Sequence, residues 1–407
     1  MSGGQRPRVE TDDASRRDLR DLSRFMLGVG SWFGCFGLHG VLFSTLLVVE
    51  LQESALRVGA AQSAILVPAV ALMLLGGTVA DRTDRRSLLV RLHIAASVLA
   101  TLLGAALLAG WLSYPLLLAY AIGMGVLQAF VNPTRDALLS EVAGPDLAKP
   151  VAQMTLTQWS SQATGALTAS AARWLSAGPF FFLQAAVLAA GAISYQGMTR
   201  PAAPPRPSRP PGQLTDGLRE VLRTPELLAT WILVCGVGVL FIGPFMVVFP
   251  LMVRDVYLRG AAEIAFVSAA FPIGTISGSL VVMRRGGLTD LMTGQRRALC
   301  AAALTLIATS LDLPFWGVLV GVYLWGLCGS VFMIAGRTLF QLRASAANRG
   351  RVLATYTMGL MGAAGLLGAP LSAVLASEFG PQGALVALGS TMLVLVGAVT
   401  RYSRTQS

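Results

Sequence analysis

Two histidines, four cysteines and one lysine bound the chemistry open to this 407-residue chain. Cys35, Cys235, Cys300 and Cys328 lie far apart inside apolar runs, so neither a C-x-x-C nor an H-E-x-x-H zinc spacing can be built, and buried free thiols are the plain reading. Lys149 precedes Pro150, which removes a phosphate-binding Gly-Lys-Ser/Thr loop and leaves no lysine suited to a Schiff base. No serine sits in a G-x-S-x-G elbow. What remains is proton exchange and ion pairing. His39 falls in the middle of the apolar run 25–49, where an imidazole titrating near physiological pH either exchanges a proton or bonds a neighbouring helix. Glu50 and Glu53 close the same run at its outer end, where exposure to water is the simpler reading. Arg91 and His93 lie near the cytoplasmic end of the third run and are expected to snorkel.

These groups need a scaffold, and composition names its type. The chain is 54% apolar and 13% charged with mean hydropathy +0.66, against about 45–50% and 25% for soluble domains, so a soluble enzyme is excluded. Apolar runs long enough to span a bilayer recur six times between residues 25 and 195 and six times between 227 and 399, the ninth (298–311) being the shortest. The predicted fold is therefore an all-α integral membrane bundle of twelve transmembrane helices in two six-helix halves. The predicted order is a tail (1–24), a first half (25–196), a Pro/Arg-rich linker in extended form (197–226), a second half (227–400) and a tail (401–407). Of the 31 basic residues, all but Arg57, Arg173, Arg254 and Arg259 fall on one side of that arrangement, which places both termini in the cytoplasm. Shifted by 201 positions, Gly59-Ala60-Ala61-Gln62 meets Gly260-Ala261-Ala262-Glu263, Gly77 meets Gly278, Gly125 meets Gly326 and Val151 meets Val352. Such self-similarity reads as duplication, the pattern of transporters that rock one half against the other.

The strongest local motif is Gly77-Thr-Val-Ala-Asp81-Arg82-Thr-Asp84-Arg85-Arg86, in the loop after the second run. Gly77 permits close helix approach, Asp81 suits the positive end of a neighbouring helix, and Arg82, Arg85 and Arg86 supply countercharge. The motif resembles the major facilitator superfamily signature G-x-x-x-D-R-x-G-R-R/K, with Asp84 where glycine is usual. That resemblance implies a cytoplasmic latch, with Asp81 facing the start of span 11 near Val352. Asn132-Pro133-Thr134-Arg135-Asp136 with Glu141, and Asn348-Arg349-Gly350-Arg351-Val352, are similar to segments of the enterobactin-exporter-like (transmembrane secretion effector) branch, which implies efflux of an amphipathic molecule. Arg135 and Asp136 are expected to join the Asp81 cluster. The Gly-Pro pair of drug/proton antiporters appears instead as Gly165-Ala166.

Span 5 is unusually polar, from Gln153 through Gln158, Trp159 and Gln162 to Thr164, and such groups must face protein or water. Together with Gln128, Trp231, Tyr323, Trp325 and Tyr356 they are the candidate cavity residues, although core packing explains any one of them as well. The glycines of span 1, Gly28 to Gly40, read as a packing face. The expectation is a monomeric, non-enzymatic transporter in the cell (inner) membrane, needing no cofactor or metal and binding no nucleic acid. It would export a small amphipathic drug, siderophore or secondary metabolite against protons. The alternatives are a facilitator or importer and a transport-inactive scaffold of the same fold.

Overall fold

The structure is a computed structural model that describes residues 8–143, 148–199, 214–345 and 348–406, and the elements among them are helical. Helix α1 (Arg8–Thr45) takes in the polar segment expected as a tail, runs on through the first apolar run and closes in a π turn, Leu46–Glu50. The second run is split into α2 (Ala55–Ala71) and α3 (Met73–Arg82), bent by 50°; Pro68, which lacks an N–H and crowds the preceding turn, lies just before the break. Then come α4 (Arg85–Leu108), α5 (Tyr114–Val142), α6 (Ala148–Ala169) and α7 (Ala177–Gln196).

The second set opens with a short helix, α8 (Leu214–Arg223), inside the stretch expected to be extended; the proline cluster 201–211 lies outside the described residues. Helix α9 (Pro225–Val237) starts on a proline suited to the first turn, passes through two π turns, Gly238–Ile242 and Pro244–Val248, and ends as α10 (Phe249–Asp255). After α11 (Ala261–Arg284), α12 (Leu291–Ala308) and α13 (Phe315–Arg343), helix α14 (Arg349–Ala363) leads through the π turn Ala364–Gly368 into α15 (Ala369–Gln406). Gly380 breaks α15 with φ 69°, a conformation open to glycine.

Among the described residues, eight helices are long and apolar enough to cross a membrane, or nine if the bent α2–α3 pair is one span. The difference from twelve has local causes. Helix α6 carries the amides and hydroxyls noted above, α12 is short and holds Arg296 and Arg297, and the stretch Gly350–Ser403 contains the break at Gly380.

Helices α1 to α7 pack on one another, as do α9 to α15, and the two sets meet where α6 lies on α11 and where α2 lies on α14 and α15. Lipid gives no hydrophobic drive for helix association, so close backbone approach must supply it. A Cβ at Gly165 would stand 1.9 Å from the Gly34 carbonyl oxygen, and one at Gly37 2.0 Å from that of Gln162, so the expected packing face of α1 is pressed onto α6. Each set has a similar close approach: Gly125 of α5 abuts the Ile65 carbonyl of α2, and Gly326 of α13 abuts the Phe271 carbonyl of α11. Gly77 corrects the expectation for the motif. No atom lies within 4 Å of its would-be Cβ, whereas one at Gly76 would meet the Ala129 carbonyl at 2.2 Å, because one residue turns the helix by about 100°.

Candidate functional site

A cavity lies between the two sets. Helix α1 gives it Phe36, His39 and Ser44, α2 gives Gln62, and α6 gives Gln162; from the other set come Phe245, Met246, Pro250 and Ser268. A second, smaller pocket lies within the first set, lined by Trp32, Cys35, Met124, Gln128 and Leu188. His39 and Phe36 border both. Neither lining contains an Asp, Glu, Lys or Arg.

His39 is 3% exposed, wedged between Phe43 and Tyr120 with ring centroids 5.1 and 5.3 Å away, and neither ring nitrogen has a hydrogen-bond partner. Orphaned buried polar atoms are rare and need a reason. Around it Gln184 donates to the Tyr120 hydroxyl at 2.9 Å and the Cys35 thiol donates to the Gln184 backbone carbonyl at 3.4 Å, while Gln184 Oε1 is itself without a partner. His93 does not snorkel. It is fully buried between Trp32 and Tyr195, with Nδ1 2.9 Å from the Leu89 carbonyl, while Arg91 is exposed.

At one end the sets are joined. Arg254 of α10 donates to the carbonyls of Val48 and Glu53, at 3.1 and 3.0 Å, where the π turn of α1 ends. Nearer the cavity, the Gln62 amide donates to Ser44 Oγ and to the Met246 carbonyl, both at 3.3 Å. The exposed tryptophans Trp111, Trp174 and Trp316 follow α4, follow α6 and begin α13, as an interfacial belt at that end requires.

At the other end the signature residues serve their own set. Arg85 pairs with Glu141 of α5 and, at 3.5 Å, with Asp81, whose side chain is 67% exposed. Arg86 donates to the carbonyls of Tyr195 and Gln196, and Arg24 to that of Gly197, so both cap the C-terminus of α7. Asp84 takes the N-cap position of α4 without bonding a backbone N–H of its first turn; its carboxylate accepts from the Ser87 hydroxyl, and its negative charge stands at the positive end of the helix. Arg82 is exposed. Arg135 does not join Asp81: it binds Asp136 at 2.8 Å and Asn132 at 3.3 Å, with its guanidinium over the Phe33 ring. Nor does Asp81 meet span 11. Arg351 is held by Asn348 at 2.8 Å and Asp216 of α8 at 3.6 Å, and Val352 is fully buried, while α3 packs chiefly on α5. Arg349 opens α14. Helix α8 also presents Glu220, which accepts from Ser345 N, Ser345 Oγ and Asn348 Nδ2. Desolvation acts upward on this carboxyl, but those hydrogen bonds prevail and hold it below the usual range.

Of the expected cavity residues, Gln128 and Gln162 line the chambers. Gln158 and Trp159 are half-buried on α6, with Trp159 6.1 Å from Phe271 across the junction. Trp325, Trp231, Tyr323 and Tyr356 line neither chamber. Trp325 backs the cavity in a nest with Phe241, Phe245, Phe249 and Phe271. Trp231 donates to the Thr355 carbonyl at 3.1 Å, Tyr323 is half-buried, and Tyr356 packs edge-on to Phe340. Sequence reasoning passed over Gln62, Ser44, Phe245 and Ser268. A lone amide in an apolar run was the available signal for Gln62.

Residues 25–318 match the family described as Major Facilitator Superfamily. The staphyloferrin A transporter of Staphylococcus aureus is 30% identical over 123 residues, 30% of this chain and 29% of that protein; the chain thus matches under a third of that relative's length. Among solved structures, the nucleoside transporter NupG aligns with TM-score 0.74 and 14% identity over 95% of this chain and 98% of its own. A bacterial homologue of the human lysosomal transporter Spinster, inward-facing and occupied, aligns with TM-score 0.72 and 15% identity over 99% and 98%. At such identities the likeness shows the fold.

Proposed function

The chain belongs to the major facilitator superfamily, and from that premise we propose that it is a secondary transporter that exports a small amphipathic molecule against protons by alternating access. In this reading residues 25–196 and 227–400 are two six-span halves, both termini are cytoplasmic, the membrane is the inner one, and a monomer suffices. Helices α6 and α12, and the two parts of α15 either side of Gly380, supply the spans beyond those that pass on length and apolarity. The asymmetry of arginine and the tryptophan belt at the opposite end support that orientation.

The observation that carries the reading is the cavity between the sets, closed beyond Gln62 by Arg254 and bordered by a histidine with two unpartnered nitrogens. With no nucleotide site, work must come from an ion, and His39 is the protonatable group at that cavity. In this reading the end joined by Arg254 is the outer one, and an exposed Asp81 is a latch not yet engaged. The test is flux in proteoliposomes under an imposed pH gradient, with neutral, cationic and anionic amphipathic compounds. Gradient-driven accumulation that His39→Ala abolishes while downhill exchange persists is expected; unchanged uphill transport in His39→Ala contradicts the assignment.

A further inference from the structure

The wall of the cavity between the sets has a chemistry that narrows what can bind, and the argument rests on the transporter reading. No Asp, Glu, Lys or Arg lines it, so an ammonium would find no counter-ion and a carboxylate none while His39 is neutral, and a buried charge without one is heavily penalised. The polar groups that are present are neutral and unevenly placed. The first set supplies His39, Ser44, Gln62 and Gln162, while the second supplies Ser268 beside Phe245 and Met246. Gln62 is committed as a strut between Ser44 and Met246. His39 keeps two unpartnered nitrogens, and the Gln162 amide on the facing helix has no hydrogen bond of its own among the described residues. Opposite them the Phe245 ring is held by Phe271 and Trp325, with centroids 5.3 and 6.2 Å away, so it offers a fixed aromatic face.

We propose that this cavity takes an uncharged planar molecule whose donor and acceptor edge meets Gln162 and whose ring lies on Phe245. The ligand supplies the partners that the Gln162 amide lacks, which makes polar complementarity the source of specificity. Cationic amphiphiles are rejected for want of a carboxylate, and polycarboxylates for want of a guanidinium.

The test is quenching of intrinsic fluorescence in the purified full chain by three matched coumarins carrying a carboxamide, a carboxylate or a trimethylammonium group at C3. The carboxamide should bind at least about tenfold more tightly than either charged analogue, and Phe245→Ala and Gln162→Ala should each remove most of that advantage. Ser268→Asp, which installs the missing charge, should raise trimethylammonium affinity by about tenfold. A charged coumarin that binds as well as the carboxamide, no carboxamide binding, or indifference to all three substitutions would overturn the proposal. Reciprocal opening of the two ends, measured on the same preparation, reports separately on transport: if it occurs while charged coumarins bind equally, the substrate class fails and the transporter reading stands.

Discussion

The guanidinium of Arg254 donates to the carbonyl oxygen of Val48, 3.1 Å away, and so joins two helical sets at an end where no covalent linker connects them. The acceptor belongs to a π turn, a feature recurrent at functional sites, and the C-terminal end of a helix attracts a cation. With Glu53 it gives one arginine two carbonyls from the opposite set.

Removing this clasp should open the outer end. Hydrogen bonds to charged groups contribute about 1.5–3 kcal/mol each, less at a residue that is 25% exposed, so Arg254→Ala should shift the equilibrium by about 1–2 kcal/mol, a factor of about 5–30. A cysteine at Ser44 then reacts correspondingly faster with an impermeant maleimide added from outside. Arg254→Lys, with one charged point in place of a fork, should fall between.

The two neighbouring glycines of the signature should respond oppositely. Gly76→Ala forces a methyl to 2.2 Å from the Ala129 carbonyl and should destabilise by about 1–3 kcal/mol. Gly77→Ala meets open space and should be neutral or slightly stabilising. Thermal unfolding of the purified variants checks the order.

Which acid matters to Arg85 can be separated by stability and by accessibility. Glu141 and Arg85 are 17% and 14% exposed where they pair, so Glu141→Ala strands a half-buried guanidinium and should lower stability by about 1–3 kcal/mol. Asp81→Asn, at an exposed carboxylate, should change stability by under about 0.5 kcal/mol yet alter the balance of accessibility between the two faces. Equal melting shifts would contradict this division.

The docking of α8 should weaken in acid. Glu220 is held below the usual carboxylate range in the folded state, so its contribution is complete above the unfolded value of about 4.3 and is lost as pH falls through the lower folded value. Hydrogen exchange in residues 214–223 should therefore quicken below about pH 4, and Glu220→Gln should quicken it at neutral pH.

Much of this was legible in residue types that membranes make expensive. Arginine asymmetry, the rarity of His39 and the polarity of α6 survive any packing arrangement, because lipid penalises each wherever the helix goes. What escaped depends on rotation and on state. Whether Gly76 or Gly77 is the contact turns on one residue of helix phase, and both are glycine. Trp325 faces a nest of phenylalanines instead of the cavity because α13 presents Gly326 to α11, a phase that an almost uniformly apolar helix conceals. Helix α8 lies beside a proline and arginine cluster whose composition reads as extended. Asp81 was expected at span 11 from a motif that describes a latched state, whereas the structure joins the two sets at the opposite end, through Arg254.

The central claim is that the two sets rock about the cavity that His39 borders, and reciprocal distances at the two ends test it most directly. Spin labels on Leu56→Cys and Leu258→Cys, both exposed at the outer end, and on Arg82→Cys and Leu342→Cys at the inner end, can be measured with and without Arg254→Ala. The account predicts that a longer outer distance appears in the same fraction of molecules in which the inner distance shortens. An outer end that opens while the inner distances stay fixed would contradict it.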